Sequence, residues 1–158
     1  MRFTLDPTGV SIGDIRLETP PTLNRVKSLL SADARLYQKG SSYLPTAIFD
    51  ALGIVVRYRA ETGLIALIDI HFATSCSQPE PQLPFKGEVL LNGKTHTRPT
   101  LLRDLELGGP LPFDNKPVPA SFGAKIGVSI TPKFEYVGVI TVGWKGHGLV
   151  VPAPNRKA

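Results

Sequence analysis

The sequence has one cysteine, Cys76, so no internal disulfide can form and nothing in it calls for an oxidising compartment. It has no long hydrophobic run. Stretches such as Gly53–Val56 and Leu64–Ile68 fall far short of the ~20 apolar residues of a membrane-spanning helix, so no membrane partner is expected. Met1–Pro7 holds Asp6 and a proline where a secretory signal needs an apolar stretch of roughly 7–15 residues, and the expectation is a cytoplasmic protein. Charge of one sign is not concentrated anywhere. The net charge is +5, yet Arg16, Arg25, Arg35, Lys39, Arg57, Arg59, Lys86, Lys94 and Arg98 stand singly. Without a basic tract or a ladder of aromatic residues along one strand, nucleic acid is not an expected partner.

Reactive constellations are missing as well. No Gly-x-Ser-x-Gly elbow occurs, and Ser75-Cys76-Ser77 lies in a loop without a helix start to lower the thiol pKa. Gly108-Gly109 lacks the Lys-Ser/Thr of a phosphate-binding loop. Of the three histidines, His96 follows a hairpin turn and His147 sits between glycines, so both are expected to be exposed. Asp69-x-His71 has strand spacing and places both side chains on one face, the only local pair resembling metal ligands; its plainer reading is a solvated polar edge. Asp50, beside Phe49, reads as a turn cap. We therefore expect no enzyme, no cofactor and no metal. The one catalytic alternative is a metal enzyme built on Asp69 and His71.

What is present is turn chemistry between short apolar segments: 15 Gly and 15 Pro spread through 158 residues, with 42% hydrophobic residues to build a core. Phe3–Leu17 reads as a strand pair around Gly13-Asp14. Thr19-Pro20-Pro21-Thr22 then looks like a helix start, followed by Leu23, Val26, Leu29 and Leu30 at helical spacing. Ala34–Gln38 predicts a short strand, whereas Pro45–Leu52 is open between a helical turn and an extended segment.

The strongest pattern is the pair Ile54–Arg59 and Leu64–Phe72 around Ala60-Glu61-Thr62-Gly63, a hairpin expected at the centre of the sheet. Ile54, Val56 and Tyr58 alternate with Val55, Arg57 and Arg59. On the second strand, Ala66, Ile68, Ile70 and Phe72 alternate with Ile65, Leu67, Asp69 and His71. Asn92-Gly93 marks another hairpin, between Glu88–Leu91 and Lys94–Thr97. A second helix is expected over Thr100–Leu107, then a proline-rich loop over Pro110–Ser121. Two last strands, Phe122–Thr131 and Phe134–Lys145, carry Tyr136 and Trp144 on a core face. The fold class expected is α+β: a largely antiparallel twisted β-sheet with two short helices packed on one face. It forms a single domain over 1–146, with a tail over 147–158.

The segment Ile48-Phe49-Asp50-Ala51-Leu52-Gly53-Ile54, the hairpin over 55–72, and Pro84-Phe85-Lys86-Gly87-Glu88-Val89 with its Asn-Gly turn together resemble a family of small bacterial proteins of unknown biochemistry. These are encoded beside secreted antibacterial toxins of type VI and polymorphic toxin systems and are regarded as immunity proteins. The likeness covers about residues 1–107. It departs from the family at Phe-Asp-Ala-Leu-Gly, where Trp-Asp-Asp-Leu-Gly is common, and 108–121 has no counterpart.

The resemblance implies a non-catalytic binding protein that occludes a cognate, cytosol-acting toxin across an interface of roughly 1,200–2,000 Å². The positive charge favours an acidic toxin surface or one with a phosphate-like pocket. Arg57, Arg59, Asp69 and His71, on the polar part of the central hairpin, are the candidate contact residues. The alternative is a small-molecule or carbohydrate-binding domain that uses the concave face of the sheet.

Overall fold

A computed structural model describes residues 1–41, 43–74, 79–91, 93–97, 118–120 and 125–145. The expected helix over 100–107, Cys76, His147 and the tail over 147–158 lie outside the described residues.

Strands β1 (Arg2–Asp6), β2 (Gly9–Ile12) and β3 (Ile15–Leu17) form an antiparallel meander, one strand more than the pair read from the sequence. The helix α1 (Leu23–Leu30) begins where the hydroxyl signal placed it. The Thr22 side chain accepts the Arg25 amide at 3.2 Å, which satisfies one of the free N–H groups of the first turn. Val26 and Leu30 are buried in the core.

There follow β4 (Arg35–Tyr37), β5 (Thr46–Phe49), β6 (Ile54–Tyr58) and β7 (Ile65–His71), then the Asn-Gly hairpin of β8 (Glu88–Leu91) and β9 (Lys94–His96). The ambiguous segment before Gly53 is thus extended. The last strands are β10 (Val118–Ala120), β11 (Ile126–Lys133) and β12 (Tyr136–Trp144). The end of the expected proline-rich loop is therefore a strand, paired antiparallel with β11. Pro132 does not end β11 but sits at an irregularity in its pairing with β12, a position where a missing N–H is tolerated.

The protein is mostly β, with one short helix among the described residues, and its strands divide between two sheets rather than one. The smaller runs β3-β2-β1-β8-β9, and the larger β10-β11-β12-β7-β6-β5-β4. Twelve strands in one open sheet would exceed the ~10 at which twisted sheets split or curl. Among the described residues all pairings are antiparallel except β1 with β8, which brings Phe3 beside Val89.

The two sheets share one core. Phe3, Leu5, Val10 and Ile12 of the smaller sheet cluster with Ile54, Val56, Ile68, Ile70, Ile140 and Val142 of the larger. Phe85 stands between them, edge-on to both Phe3 and Phe72 at 5.8 Å. Trp144 Nε1 donates to the Leu17 carbonyl at 3.2 Å, a buried link from β12 to β3. Tyr136, expected on this face, is 40% exposed at the open end of β12.

The Phe-Asp-Ala-Leu-Gly segment makes the tight connection from β5 to β6. The Phe49 carbonyl accepts the amides of Leu52 and Gly53. Gly53 has φ +70°, and a Cβ there would lie 2.1 Å from the Phe85 amide nitrogen, so only glycine fits. Asp50 does more than cap this turn. Its carboxylate accepts Arg35 Nε and Nη2 at 2.9 and 3.0 Å and the Gln82 amide at 3.1 Å, while its carbonyl accepts the Leu83 amide. Arg35 holds the Asp50 carboxyl below the usual carboxylate range. The segment thereby anchors Gln82 and Leu83 beside the β5–β6 connection.

Candidate functional site

Strand alternation gives β6, β7 and β12 a second face, turned away from the shared core. The register sets Val55 opposite Asp69, Arg57 opposite Leu67, Thr141 opposite Asp69 and Val139 opposite His71. Because β12 pairs with β7 on the side away from β6, Asp69 and His71 lie in the middle of the sheet, not on a solvated edge.

Asp69 is the centre of this face. Its side chain is 3% exposed, and both oxygens are engaged: Arg57 Nη2 donates to Oδ2 and Thr141 Oγ1 to Oδ1, each at 2.6 Å. A buried carboxylate needs such partners, since an unpaired charge out of water is strongly disfavoured. The Arg57 side chain is 43% exposed, so its guanidinium is tied to the sheet at one end and open to solvent at the other.

His71 is buried at 8% exposure. Burial pushes its pKa below 6.5, against the opposing pull of the Asp69 and Glu80 carboxylates, so the ring is neutral at pH 7. Its Nδ1 is shut off from solvent and has no hydrogen-bond partner among the described residues.

Two cavities flank Arg57. The larger, about 400 Å³, is lined by Tyr37, Lys39, Tyr43, Leu44, Thr46, Arg57 and Pro79. Lys39 Nζ lies 5.1 Å from the centre of the Tyr43 ring, a cation–π distance. The smaller, about 250 Å³, is lined by Val55, Arg57, Asp69, His71, Pro79, Glu80, Thr131, Val139 and Thr141. Arg57 and Pro79 are common to both.

The structure thus brings together three of the four residues singled out from the sequence, Arg57, Asp69 and His71, and leaves out Arg59. A bulge between Arg57 and Tyr58 breaks the alternation, and Arg59 sits past β6 in the turn, where its amide bonds the Leu64 carbonyl. The same bulge moves Ile65 into the shared core. Asp69 and His71 are buried, and of the three only the Arg57 side chain is substantially exposed. His96, expected to be exposed, is 5% exposed, because its register opposite Val89 turns it inward.

Sequence reasoning missed Thr141, Glu80 and the group Tyr37, Lys39 and Tyr43. Thr141, alternating with Ile140 and Val142, carried a signal as a hydroxyl on the outer face of a β-branched strand. Glu80 carried none, since its place depends on distant contacts of its loop, among them the Arg35 guanidinium donating to its carbonyl at 3.4 Å. Among the described residues, no group of three or more His, Cys, Asp and Glu could hold a metal ion. No helix of the described residues is long and apolar enough to cross a membrane.

No curated protein and no solved structure matches the chain. The profile of a domain of unknown function, DUF7738, matches residues 2–104. The match takes in every strand from β1 to β9, and with them Arg57, Asp69, His71, Glu80 and the larger cavity, whereas Thr131 and Thr141 come from strands beyond it. The chain belongs to the DUF7738 family.

Proposed function

We propose that this chain is a non-catalytic binding protein, an immunity protein that occludes a cognate bacterial toxin acting in the cytosol, where the chain itself works. The observation that carries this reading is Arg57. A guanidinium held by a buried carboxylate and open to solvent on the wall of a 400 Å³ cavity is already ordered for binding, which lowers the entropy cost of association. The few residues that dominate the energy of protein interfaces are enriched in Arg and Tyr, and here Arg57 stands with Tyr37 and Tyr43. Lys39 adds a second cation, and with the net charge of +5 the surface favours an acidic toxin patch. In this reading Asp69 is a positioning residue for Arg57.

The test is co-expression with the toxin encoded beside this chain. Growth arrest by the toxin should be relieved by the chain and not by its Lys39→Glu/Tyr43→Ala variant, whose exposed sites leave folding intact. A neighbouring gene with no growth-arresting product, or an arrest the chain does not relieve, defeats the proposal. The volume of the same cavity favours a second reading, a small-molecule or carbohydrate-binding domain. A metabolite thermal-shift screen separates the two, since a ligand at 100 times its Kd adds about 2.7 kcal/mol of stability.

A further inference from the structure

The two cavities beside Arg57 differ in charge. Lys39 and Arg57 are the charged groups on the lining of the larger one, and no carboxylate among the described residues lines it. Lys39 Nζ lies over the Tyr43 ring at 5.1 Å and forms no ion pair among the described residues. A ring face attracts the charge of an ammonium but takes few of its three N–H donors, so Lys39 keeps donors for a ligand. Arg57 bonds Asp69 through Nη2, and its Nε and Nη1 bond nothing else among the described residues. Asp69, 3% exposed and outside this lining, compensates one of the two cations from within the sheet and leaves a formal charge of +1. The Thr46 hydroxyl donates to the Leu44 carbonyl at 3.4 Å and is already committed. The rings of Tyr37 and Tyr43, with Leu44 and Pro79, supply apolar wall, and Tyr43 and Leu44 are 53% and 39% exposed, so the space is reached from solvent. At about 400 Å³ it lies within the ~300–1,000 Å³ of small-ligand pockets.

We infer that the larger cavity is a binding site for a carboxylate carried on a short apolar body. The carboxylate takes N–H donors from Lys39 and Arg57, and the body lies against the two tyrosine rings, Leu44 and Pro79. Both cations face it at little ordering cost, Arg57 because Asp69 holds it and Lys39 because the Tyr43 ring does. A cationic ligand would meet two cations and no carboxylate, and a neutral one would displace water from both without replacing its hydrogen bonds. A dianion would exceed the single positive charge that Asp69 leaves uncompensated. The same chemistry comes from two sources, a free organic acid or an acidic side chain presented by a polypeptide. The inference rests on the reading of this cavity as a binding surface but not on the toxin, because an isolated acid tests it and co-expression tests the toxin.

The experiment titrates the full-length, ¹⁵N-labelled protein with 3-phenylpropionate and follows the Arg57 Nε–H resonance by NMR. A saturable shift is expected, with at least tenfold weaker binding of 3-phenylpropionamide, which keeps the body and lacks the charge. Lys39→Gln, at an exposed site, should weaken binding of the acid about tenfold through loss of a charged hydrogen bond. Arg25→Gln removes the same charge from the exposed side of α1 and should leave binding unchanged; thermal melts of both variants confirm that they fold. A capped Gly-Glu-Gly peptide that binds as well as the acid assigns the site to an acidic side chain, and a peptide that fails where the acid binds assigns it to a free acid. The inference is overturned if 3-phenylpropionate gives no saturable shift, if the amide binds equally, or if Lys39→Gln weakens binding no more than Arg25→Gln does.

Discussion

The two faces of β6, β7 and β12 are made from alternate residues of the same strands, yet they are built on opposite principles. Toward the smaller sheet stand Ile54, Val56, Ile68, Ile70, Ile140 and Val142, none measurably exposed. They need only fill volume, and any packing error there is a loss of the fold. On the other face stand Arg57, Asp69, His71 and Thr141, where a buried carboxylate is held by two directed hydrogen bonds and the guanidinium that makes one of them reaches solvent. Burial of apolar area is non-directional, whereas a buried carboxylate specifies its neighbours in distance and direction. The first face holds the protein together, and the second leaves shaped, charged space at its surface.

The difference can be broken from either side. The largest effect should come from the apolar face: Ile68→Ala opens a cavity in the shared core and should cost about 3 kcal/mol in urea unfolding, without altering the two cavities outside. Next comes Arg57→Ala, which leaves the Asp69 carboxylate buried beside Thr141 alone. The loss should be about 2 kcal/mol, less than for a fully buried pair because the guanidinium is half in water. If Arg57→Ala proves neutral, the ion pair is not what orders the outer face.

A third, smaller effect is a pH dependence. The folded pKa of His71 lies below 6.5, so between that value and the unfolded one the unfolded chain binds the extra proton. Stability is therefore full above about pH 6.5 and falls as the pH drops through 6.5 toward the folded pKa, where the decline ends. His71→Gln should remove this slope. The Asp50 contribution is distinct: its folded pKa is depressed, so its stabilisation holds above about pH 4 and is lost at lower pH. An unchanged slope in His71→Gln would show that the ring is not sealed from water between Asp69, Glu80 and Arg57. The smallest effect is expected at the exposed pair Arg2–Glu88, where both side chains are about half in solvent. Glu88→Gln should cost less than about 1 kcal/mol and vanish in high salt.

Much of this architecture is legible in local patterns. Thr22 and the spacing of Leu23, Val26 and Leu30 announce α1; Asn92-Gly93 announces the β8–β9 hairpin; and the alternation from Ile54 to His71 predicts both faces of the central hairpin up to the bulge at Tyr58. That bulge is where the reading of Arg59 and Ile65 fails, because a two-residue period says nothing about an extra residue inserted in a strand. Asp69 and His71 are also read correctly as neighbours and incorrectly as solvated. Their burial depends on β12, some 70 residues away, pairing along β7.

The sequence by itself determined the short strands, their turns, the start of α1 and the separation of apolar from polar residues within each strand. These follow from backbone sterics, capping and side-chain alternation, all acting within a few residues. Only the tertiary structure decided that the strands form two sheets, that β1 runs parallel to β8, that Asp50 fastens Gln82 and Leu83, and that Thr141 completes the shell of Asp69. Those outcomes are set by contacts between distant segments competing to bury the same surface, and a local pattern carries no record of which competitor wins.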